Sequence, residues 1–192
     1  HVFARVCEGA TFKTFTLTAD GTLTRNEVVF ALVGDDAIGH SAGAILASRE
    51  SHVDNTVFVT HSALRGESRQ VFKSVIGAEG RSVFQGKIFV RPAAQKTDGY
   101  QISQSILLAD SAEFDVKPEL EIYADDVKCS HGSTTGEMDE DALYYLRARG
   151  IPHREAEAML VAAFVDEAIM EIDHDYLAET VRGEVAAWMD RR

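Results

Sequence analysis

The first two thirds of the chain consist of short segments in which Val, Ile, Phe, Thr and Tyr predominate. These segments are VFARV, TFKTFTLT, EVVFALV, NTVFVTHS, RQVFKSVI, KIFV, ISQSILL and ELEIYADDV. Such composition is typical of β-strands, and no long helical pattern interrupts it before about residue 127. Turns are predicted where a flexible dipeptide punctuates the pattern. The dipeptides are Asp20-Gly21, Gly34-Asp35, Glu79-Gly80, Gln85-Gly86 and Asp98-Gly99.

The pattern becomes helical after residue 136. Asp139 has the chemistry of a helix N-cap and Gly150 that of a left-handed C-cap, so a first helix is predicted between them. Pro152 suits the first turn of a second helix that runs to about residue 172, and a third is predicted from Tyr176 to Met189. We therefore predict a β domain over residues 1–136 and a small C-terminal helical domain over residues 137–192.

Regular strands with short turns favour an all-β sandwich, a barrel or a solenoid for the first domain. The pattern alone does not choose between them. No clean repeat period is found, although the coils of a solenoid can be irregular.

Charge is spread unevenly over the 192 residues. The net charge is −12; residues 1–96 carry 11 Lys and Arg against 9 Asp and Glu, and residues 97–192 carry 8 against 22. The acidic half would repel nucleic acid, and no basic stripe with interleaved aromatic residues is found elsewhere. A nucleic-acid partner is therefore not expected.

Neither a membrane span nor a disulfide scaffold is expected. No apolar run approaches the roughly 20 residues that cross a bilayer, and no secretory signal opens the sequence. The two cysteines, Cys7 and Cys129, suit a reducing compartment, so a cytoplasmic location is predicted. The chain starts at His1 rather than at Met, and its first residues already have strand character. We expect it to be the C-terminal part of a longer protein.

The segment DDVKCSHGSTTG, residues 125–136, concentrates the candidate chemistry. If an extended conformation persists to His131, alternation places Cys129 and His131 on one face of a strand, with Asp125 and Val127 further back on that face. Thiolate and imidazole favour zinc, copper or iron–sulfur species. A closed site usually needs about four protein ligands. This segment offers two, so the site looks incomplete.

Three interpretations of the Cys129 and His131 pair stay open on residue types alone. The pair is structural, or it is a thiol nucleophile with its base, or it is half of a site that another chain completes. A nucleophile would need a nearby cation or helix N-terminus, and Lys128 points the other way in a regular strand. The GSTTG continuation lacks the Gly-Lys-Ser/Thr ending of a phosphate-binding loop and is interpreted as a turn. His52, Asp54 and His61 are most simply ordinary turn or core residues.

Four segments in order resemble the SufB and SufD family of iron–sulfur cluster assembly proteins. They are FQGKI (84–88), AQKTDGYQ (94–101), KPELEIYADDVKCSHG (117–132) and YYLRARGI (144–151). The KCSHG segment is similar to the SufD members rather than to the SufB members. A weaker likeness extends over nearly the whole chain.

The resemblance implies a right-handed parallel β-helix followed by a C-terminal helical domain. It also implies a subunit that is not an enzyme, and that pairs with SufB and docks a SufC ATPase on its helices. His131 would then lie near a transient iron–sulfur cluster shared with SufB, with Cys129 as a second ligand and no cofactor bound permanently. The alternative is a purely structural partner of SufB and SufC that supplies no ligand. The isolated chain is expected to form a homodimer through the edge that SufB covers.

Overall fold

Ten strands and three helices make up residues 1–191, the part of the chain that the computed structural model describes. The strands are β1 (Val2–Val6), β2 (Thr11–Ala19), β3 (Leu23–Leu32), β4 (Ile38–Ala47), β5 (His52–His61), β6 (Glu67–Ile76), β7 (Arg81–Val90), β8 (Asp98–Leu107), β9 (Glu113–Ile122) and β10 (Lys128–Glu137). The helices are α1 (Glu140–Ala148), α2 (His153–Ile169) and α3 (Asp175–Arg191). None of these three helices is long and apolar enough to cross a membrane.

The strands coil into a solenoid with two parallel sheets. Sheet A has the order β1-β3-β5-β7-β9 and sheet B the order β10-β8-β6-β4-β2, so each turn of the coil adds one strand to each sheet. This confirms the parallel β-helix and excludes the sandwich and the barrel. Val2 pairs with Val28, 26 positions on, whereas Arg81 pairs with Glu113, 32 positions on. The coil length therefore varies, which explains why the sequence shows no clean period.

The corner that leads from sheet A to sheet B contains stacked residues in the left-handed conformation. Asp36, Arg65 and Lys96 have φ values of 57°, 55° and 60°. Asp36 N–H donates to the Leu64 carbonyl in the next coil, and Arg65 N–H donates to the Gln95 carbonyl in the coil after that, both at 3.0 Å. These bonds link successive coils outside the strands and fix the register at the corner.

The two sheets differ in what covers their outer faces. Along β5 and β7 of sheet A, buried residues alternate with more exposed ones, as in a sheet with one solvated face. The second halves of β4 and β6 in sheet B are buried throughout, because the helices pack on their outer face. Ala44, Leu46 and Val75 of sheet B share a core with Val161 and Val165 of α2.

Polar contacts also hold the helices on sheet B. Lys73 of β6 is only 1% exposed, and its ammonium group donates to Glu167 of α2 and, at 2.5 Å, to Gln104 Oε1. Trp188 of α3 is 1% exposed and donates from Nε1 to Asp20 Oδ2 at 2.9 Å. The three helices, called the helical tail from here on, are therefore held both on the middle coils and near the start of the chain.

The three predicted helices are confirmed. Asp139 is the N-cap of α1, and its carboxylate accepts the Ala142 N–H at 2.9 Å. Gly150 follows the end of α1 with a φ of 87°, in the left-handed region. The predicted third helix, from Tyr176 to Met189, is extended by one residue at its start and by two at its end.

The sequence pattern missed β4, whose segment IGHSAGAILA lacks a run of β-branched or aromatic residues. Its small residues make room for rings from neighbouring strands. A Cβ on Gly39 would lie 2.3 Å from Phe30 Cε2, and one on Gly43 would lie 2.6 Å from Phe72 Cε1. The glycines that weaken the strand pattern are thus required by the packing inside the solenoid.

Three of the five predicted turns are confirmed, because Asp20-Gly21, Gly34-Asp35 and Glu79-Gly80 lie between strands. The turns predicted at Gln85-Gly86 and Asp98-Gly99 are wrong. The first dipeptide lies in the middle of β7 and the second opens β8. Glycine serves there to admit a side chain from the opposite sheet or the next coil, as the candidate site shows.

Candidate functional site

The segment DDVKCSHGSTTG spans a corner and most of β10. The predicted turn at GSTTG is wrong, because these residues continue the strand to Glu137. β10 pairs with β8 over its full length, from Lys128 opposite Asp98 to Glu137 opposite Leu107. It is the last strand of sheet B, and no other strand within residues 1–191 pairs with its outer edge. The candidate residues therefore lie at an open end of the solenoid.

Cys129 points into the solenoid. Its Sγ would lie 3.2 Å from a Cβ placed on Gly99, and the side chain packs against the buried cluster that contains Ile88 and Val90. Burial raises the pKa of the Cys129 thiol; a backbone hydrogen bond with Gly99 opposes this rise, and the Asp98 carboxylate adds to it. The thiol is therefore protonated at neutral pH, the opposite of what an activated nucleophile needs.

His131 lies on the same inner face, two residues after Cys129, as alternation along the strand requires. In contrast to Cys129, it is exposed. Its register partner in β8 is Gln101. The imidazole makes no hydrogen bond or ion pair with any residue in the described part of the chain. Its ring nitrogens are therefore accessible on the end face of the coil.

The two aspartates of the segment do not join this pair. The extended conformation that would have placed Asp125 on the face of Cys129 does not reach back past Lys128, because the strand starts there. Asp126 shapes the corner through its backbone: its N–H donates to Gln95 Oε1 at 2.9 Å, and its carbonyl accepts the Lys96 N–H. The predicted position of Asp125 is therefore wrong.

Segments that carry the family resemblance meet inside the last coils. Gln101 is 0% exposed, and a Cβ on Gly86 would lie 2.5 Å from its Oε1. Gly99 admits Cys129 in the same way. The sequence pattern placed Gly86 and Gly99 in predicted turns and did not point to Gln101. The signal that could have found them is glycine within a strand, which often marks a close approach by another group.

Within residues 1–191, no group of three or more His, Cys, Asp and Glu side chains is arranged to hold a metal ion. His52, Asp54 and His61 do not converge either. His52 and Asp54 lie on the outer face of β5, whereas His61 is fully buried at its inner end, with Nε2 2.8 Å from Ser68 Oγ. His61 is a core residue, in line with the simpler interpretation.

The two strands at this end of the solenoid expose different edges. β9 has Pro118 at mid-strand and a row of charged residues on its outer face. Proline and charge are the usual means by which proteins protect a sheet edge. β10 has neither between its terminal residues Lys128 and Glu137. The outer edge of β10 is therefore the one open to pairing with another strand.

The direction of the free backbone groups of β10 follows from one hydrogen bond. Lys128 N–H donates to the Thr97 carbonyl, towards β8, at 2.8 Å. Because N–H groups alternate between the two sides of a parallel strand, those of Cys129, His131 and Ser133 point to the open edge. The residues whose side chains lie on the inner face of β10 thus also have the backbone N–H groups that are free to pair.

Comparisons with known proteins agree with the segments noted above. The family model described as "SUF system FeS cluster assembly, SufBD core domain" matches residues 1–164. The iron–sulfur cluster assembly protein SufD of Escherichia coli K12 is 33% identical over 189 residues, which cover 96% of this chain and 45% of that protein. The chloroplastic protein ABCI7 of Arabidopsis thaliana is 31% identical over 186 residues, 95% of this chain and 39% of its own length. An iron–sulfur cluster assembly SufBD family protein of Synechocystis is 37% identical over 129 residues, 67% of this chain and 28% of its own. The chain thus spans less than half the length of these relatives.

Proposed function

Because the chain belongs to the SufBD core family of the SUF iron–sulfur cluster assembly system, we propose that it is a non-catalytic scaffold subunit of that system. It pairs with SufB, docks a SufC ATPase and brings His131 to the nascent cluster at the SufB interface. The cluster is cargo, held transiently and shared with SufB. The observation that carries this proposal is the exposed imidazole of His131 on the open terminal strand, which has no hydrogen-bond partner within residues 1–191.

The ligand count supports a shared site. An iron–sulfur cluster is usually held by about four protein ligands, and β10 offers His131 and, behind it, Cys129. Cys129 is half-buried and protonated, so it becomes a ligand only if the metal displaces its proton. The remaining ligands come from SufB, which meets the open edge of β10 beside His131.

The test of the ligand role is His131→Ala in the complete complex with SufB and SufC. We expect the yield of assembled cluster to fall while SufB still copurifies, because the imidazole is lost and the backbone edge is kept. Ser133→Ala is the matched control, since Ser133 lies on the same face of the same strand and offers no metal ligand of comparable strength. Unchanged cluster yield in an intact His131→Ala complex would refute the ligand role.

The open edge of β10 supports pairing with SufB. An exposed strand edge offers unpaired N–H and C=O groups to another chain. Ser133→Pro removes one donor that points to that edge and leaves the ladder to β8 complete, whereas Ser133→Ala keeps the donor. We expect the proline variant alone to weaken the binding of SufB. Equal binding by the two variants would contradict pairing through this edge.

The same edge pairs with a second copy of the chain when SufB is absent. Light scattering at high protein concentration is expected to detect a dimer in the wild type and mainly monomer in Ser133→Pro. A strictly monomeric wild type would count against this homodimer.

The helical tail is the proposed docking region for SufC. On α1, Tyr144 is 74% and Tyr145 57% exposed, and exposed aromatic residues are enriched at protein interfaces. Tyr144→Ser is expected to weaken SufC binding. Tyr123→Ser is the matched control, because Tyr123 is 58% exposed but lies outside the three helices, directly after β9. Equal SufC binding by the two variants would contradict docking on α1.

One observation favours the second candidate, a purely structural partner of SufB and SufC. Cys129 is half-buried and burial raises its pKa, so His131 is the one exposed nitrogen or sulfur ligand among the side chains of β10. Mössbauer spectra of the ⁵⁷Fe-labelled complex separate the two functions. A histidine ligand predicts that the iron signal changes in His131→Ala, and identical spectra would favour the structural role.

A further inference from the structure

A column of polar residues runs along the inner face of sheet B and ends at His131. Ser41, Gln70, Gln101 and His131 are successive register partners in β4, β6, β8 and β10. The first three are 1%, 0% and 0% exposed. Because neighbouring strands lie about 4.8 Å apart, each side chain is adjacent to the next one in the column.

The amide of Gln101 lacks a partner. Neither its Nε2 nor its Oε1 has a hydrogen-bond partner within the described residues, and the same holds for Gln70. A buried amide without a partner costs about 1–3 kcal/mol, so it should take any partner within reach. Gln101 is packed against Gly86 of sheet A, which supplies no side chain. The side chains left to it along the column are Gln70 on one side and His131 on the other.

The other sheet shows that such contacts form in this solenoid. Asn26 of β3 and Asn55 of β5 are register partners, and Asn26 Nδ2 donates to Asn55 Oδ1 at 3.0 Å. Side-chain amides in successive coils therefore come within hydrogen-bond distance. Gln101 has a longer side chain than asparagine, and its neighbour His131 sits at the exposed end of the column, where its ring can turn towards the amide.

We infer that Gln101 is a positioning residue for His131, an inference that rests on the proposed role of His131 at the cluster. When the His131 ring turns towards Gln101, the Gln101 carbonyl accepts the N–H of one ring nitrogen, and its second lone pair remains available to Gln70. This bond fixes one tautomer of the imidazole and leaves the lone pair of the other nitrogen directed out of the open end of the coil. Histidines that bind metals commonly donate their other N–H to an acceptor in this way.

The test that does not depend on cluster assembly is the tautomer of His131. Long-range ¹H–¹⁵N NMR spectra of the 192-residue chain labelled with ¹⁵N-histidine report it, and His131→Ala assigns the signal among its 7 histidines. We expect one dominant tautomer in the wild type and a mixture in Gln101→Met, which keeps the length of the side chain but cannot accept a comparable hydrogen bond. Gln101→Leu serves if the methionine variant does not fold.

Gln70→Met is the matched control, because Gln70 is equally buried in the same column but lies one strand further from His131. It should leave the tautomer unchanged. An unchanged tautomer in a folded Gln101 variant would overturn the inference, and so would an equal shift in Gln70→Met.

Cluster assembly in the complete complex supplies the second readout. We expect Gln101→Met to lower the cluster yield about tenfold, within the range found when the hydrogen-bond partner of a metal ligand is removed. Normal yield in Gln101→Met, together with a loss in His131→Ala, would overturn the positioning role in assembly. If His131→Ala itself has normal yield, the proposed function fails, while the tautomer still decides whether Gln101 holds the ring.

Discussion

Acidification from pH 7 to pH 4 should remove about 3 kcal/mol of the free energy of unfolding through one buried imidazole, His61. The side chain is 0% exposed, and burial lowers its pKa from 6.5 to about 4. Its Nε2 lies 2.8 Å from Ser68 Oγ, and its Nδ1 lies 3.5 Å from Thr97 Oγ1. Hydroxyl groups satisfy a neutral ring, and no carboxylate within residues 1–191 is at ion-pair distance to stabilise a charged one.

The magnitude follows from the difference between the two states. One pKa unit corresponds to about 1.4 kcal/mol, so a fall from 6.5 in the unfolded chain to about 4 in the folded one is worth about 3 kcal/mol. Above pH 6.5 both states are neutral and this stability is fully present. Between pH 6.5 and pH 4 the unfolded state binds a proton that the folded state does not, so stability falls as the pH falls. Below pH 4 both states are protonated, and this contribution stays constant.

Urea unfolding at pH 7, 6, 5 and 4 measures the effect as the difference between the wild type and His61→Asn. The asparagine can bond to Ser68 but cannot titrate, so its free energy of unfolding should fall less with pH. His52→Asn is the control: His52 lies on the outer face of the same strand and is partly exposed. Parallel pH profiles for the wild type and His61→Asn would refute the reasoning, as would an equal effect in His52→Asn.

Three further predictions concern packing and reactivity. Gly86→Ala should destabilise the protein by about 1–3 kcal/mol, because its Cβ would meet the Gln101 amide. In a double-mutant cycle followed by urea unfolding, Gln101→Ala should remove most of that cost. Additive effects of the two substitutions would contradict the contact. The free energy of unfolding of Lys73→Met should stay within about 1 kcal/mol of the wild type, because methionine fills the space of the buried lysine side chain. Lys73→Ala should lose about 2–4 kcal/mol in the same thermal unfolding experiment. Equal losses in the two variants would show that the ion pair with Glu167 dominates. Iodoacetamide at neutral pH should alkylate exposed Cys7 several-fold faster than Cys129, whose pKa is raised by burial, and mass spectrometry showing equal rates would contradict this.

Local sequence predicted the kinds of element well, because strand and helix signals act over a few residues. Asp139 and Gly150 bracket α1 through chemistry that belongs to the helix ends themselves. β4 escaped prediction because its glycines serve the rings of Phe30 and Phe72 on other strands. The parallel solenoid came from the resemblance, since strand composition alone does not show which strands pair.

Local sequence likewise predicted one part of the candidate site and missed another. Alternation along a strand placed Cys129 and His131 on one face, which requires only their spacing. The difference in their exposure depends on the preceding coil, where Gly99 leaves room for the thiol and Gln101 lies beside the imidazole. Those neighbours are about 30 positions away in sequence, so residue types within the segment did not reveal them.

The return of the tail to the early coils changes how the molecule should come apart. A free stack of coils behaves as a one-dimensional array that loses its terminal repeats first. Here Trp188, near the end of the chain, bonds to Asp20 near its start, and α2 shares a core with strands of the middle coils. Fraying of the first coil would expose the tryptophan, and release of the tail would expose the middle sheet. The two ends therefore depend on each other, and the solenoid should melt as a single cooperative unit rather than coil by coil.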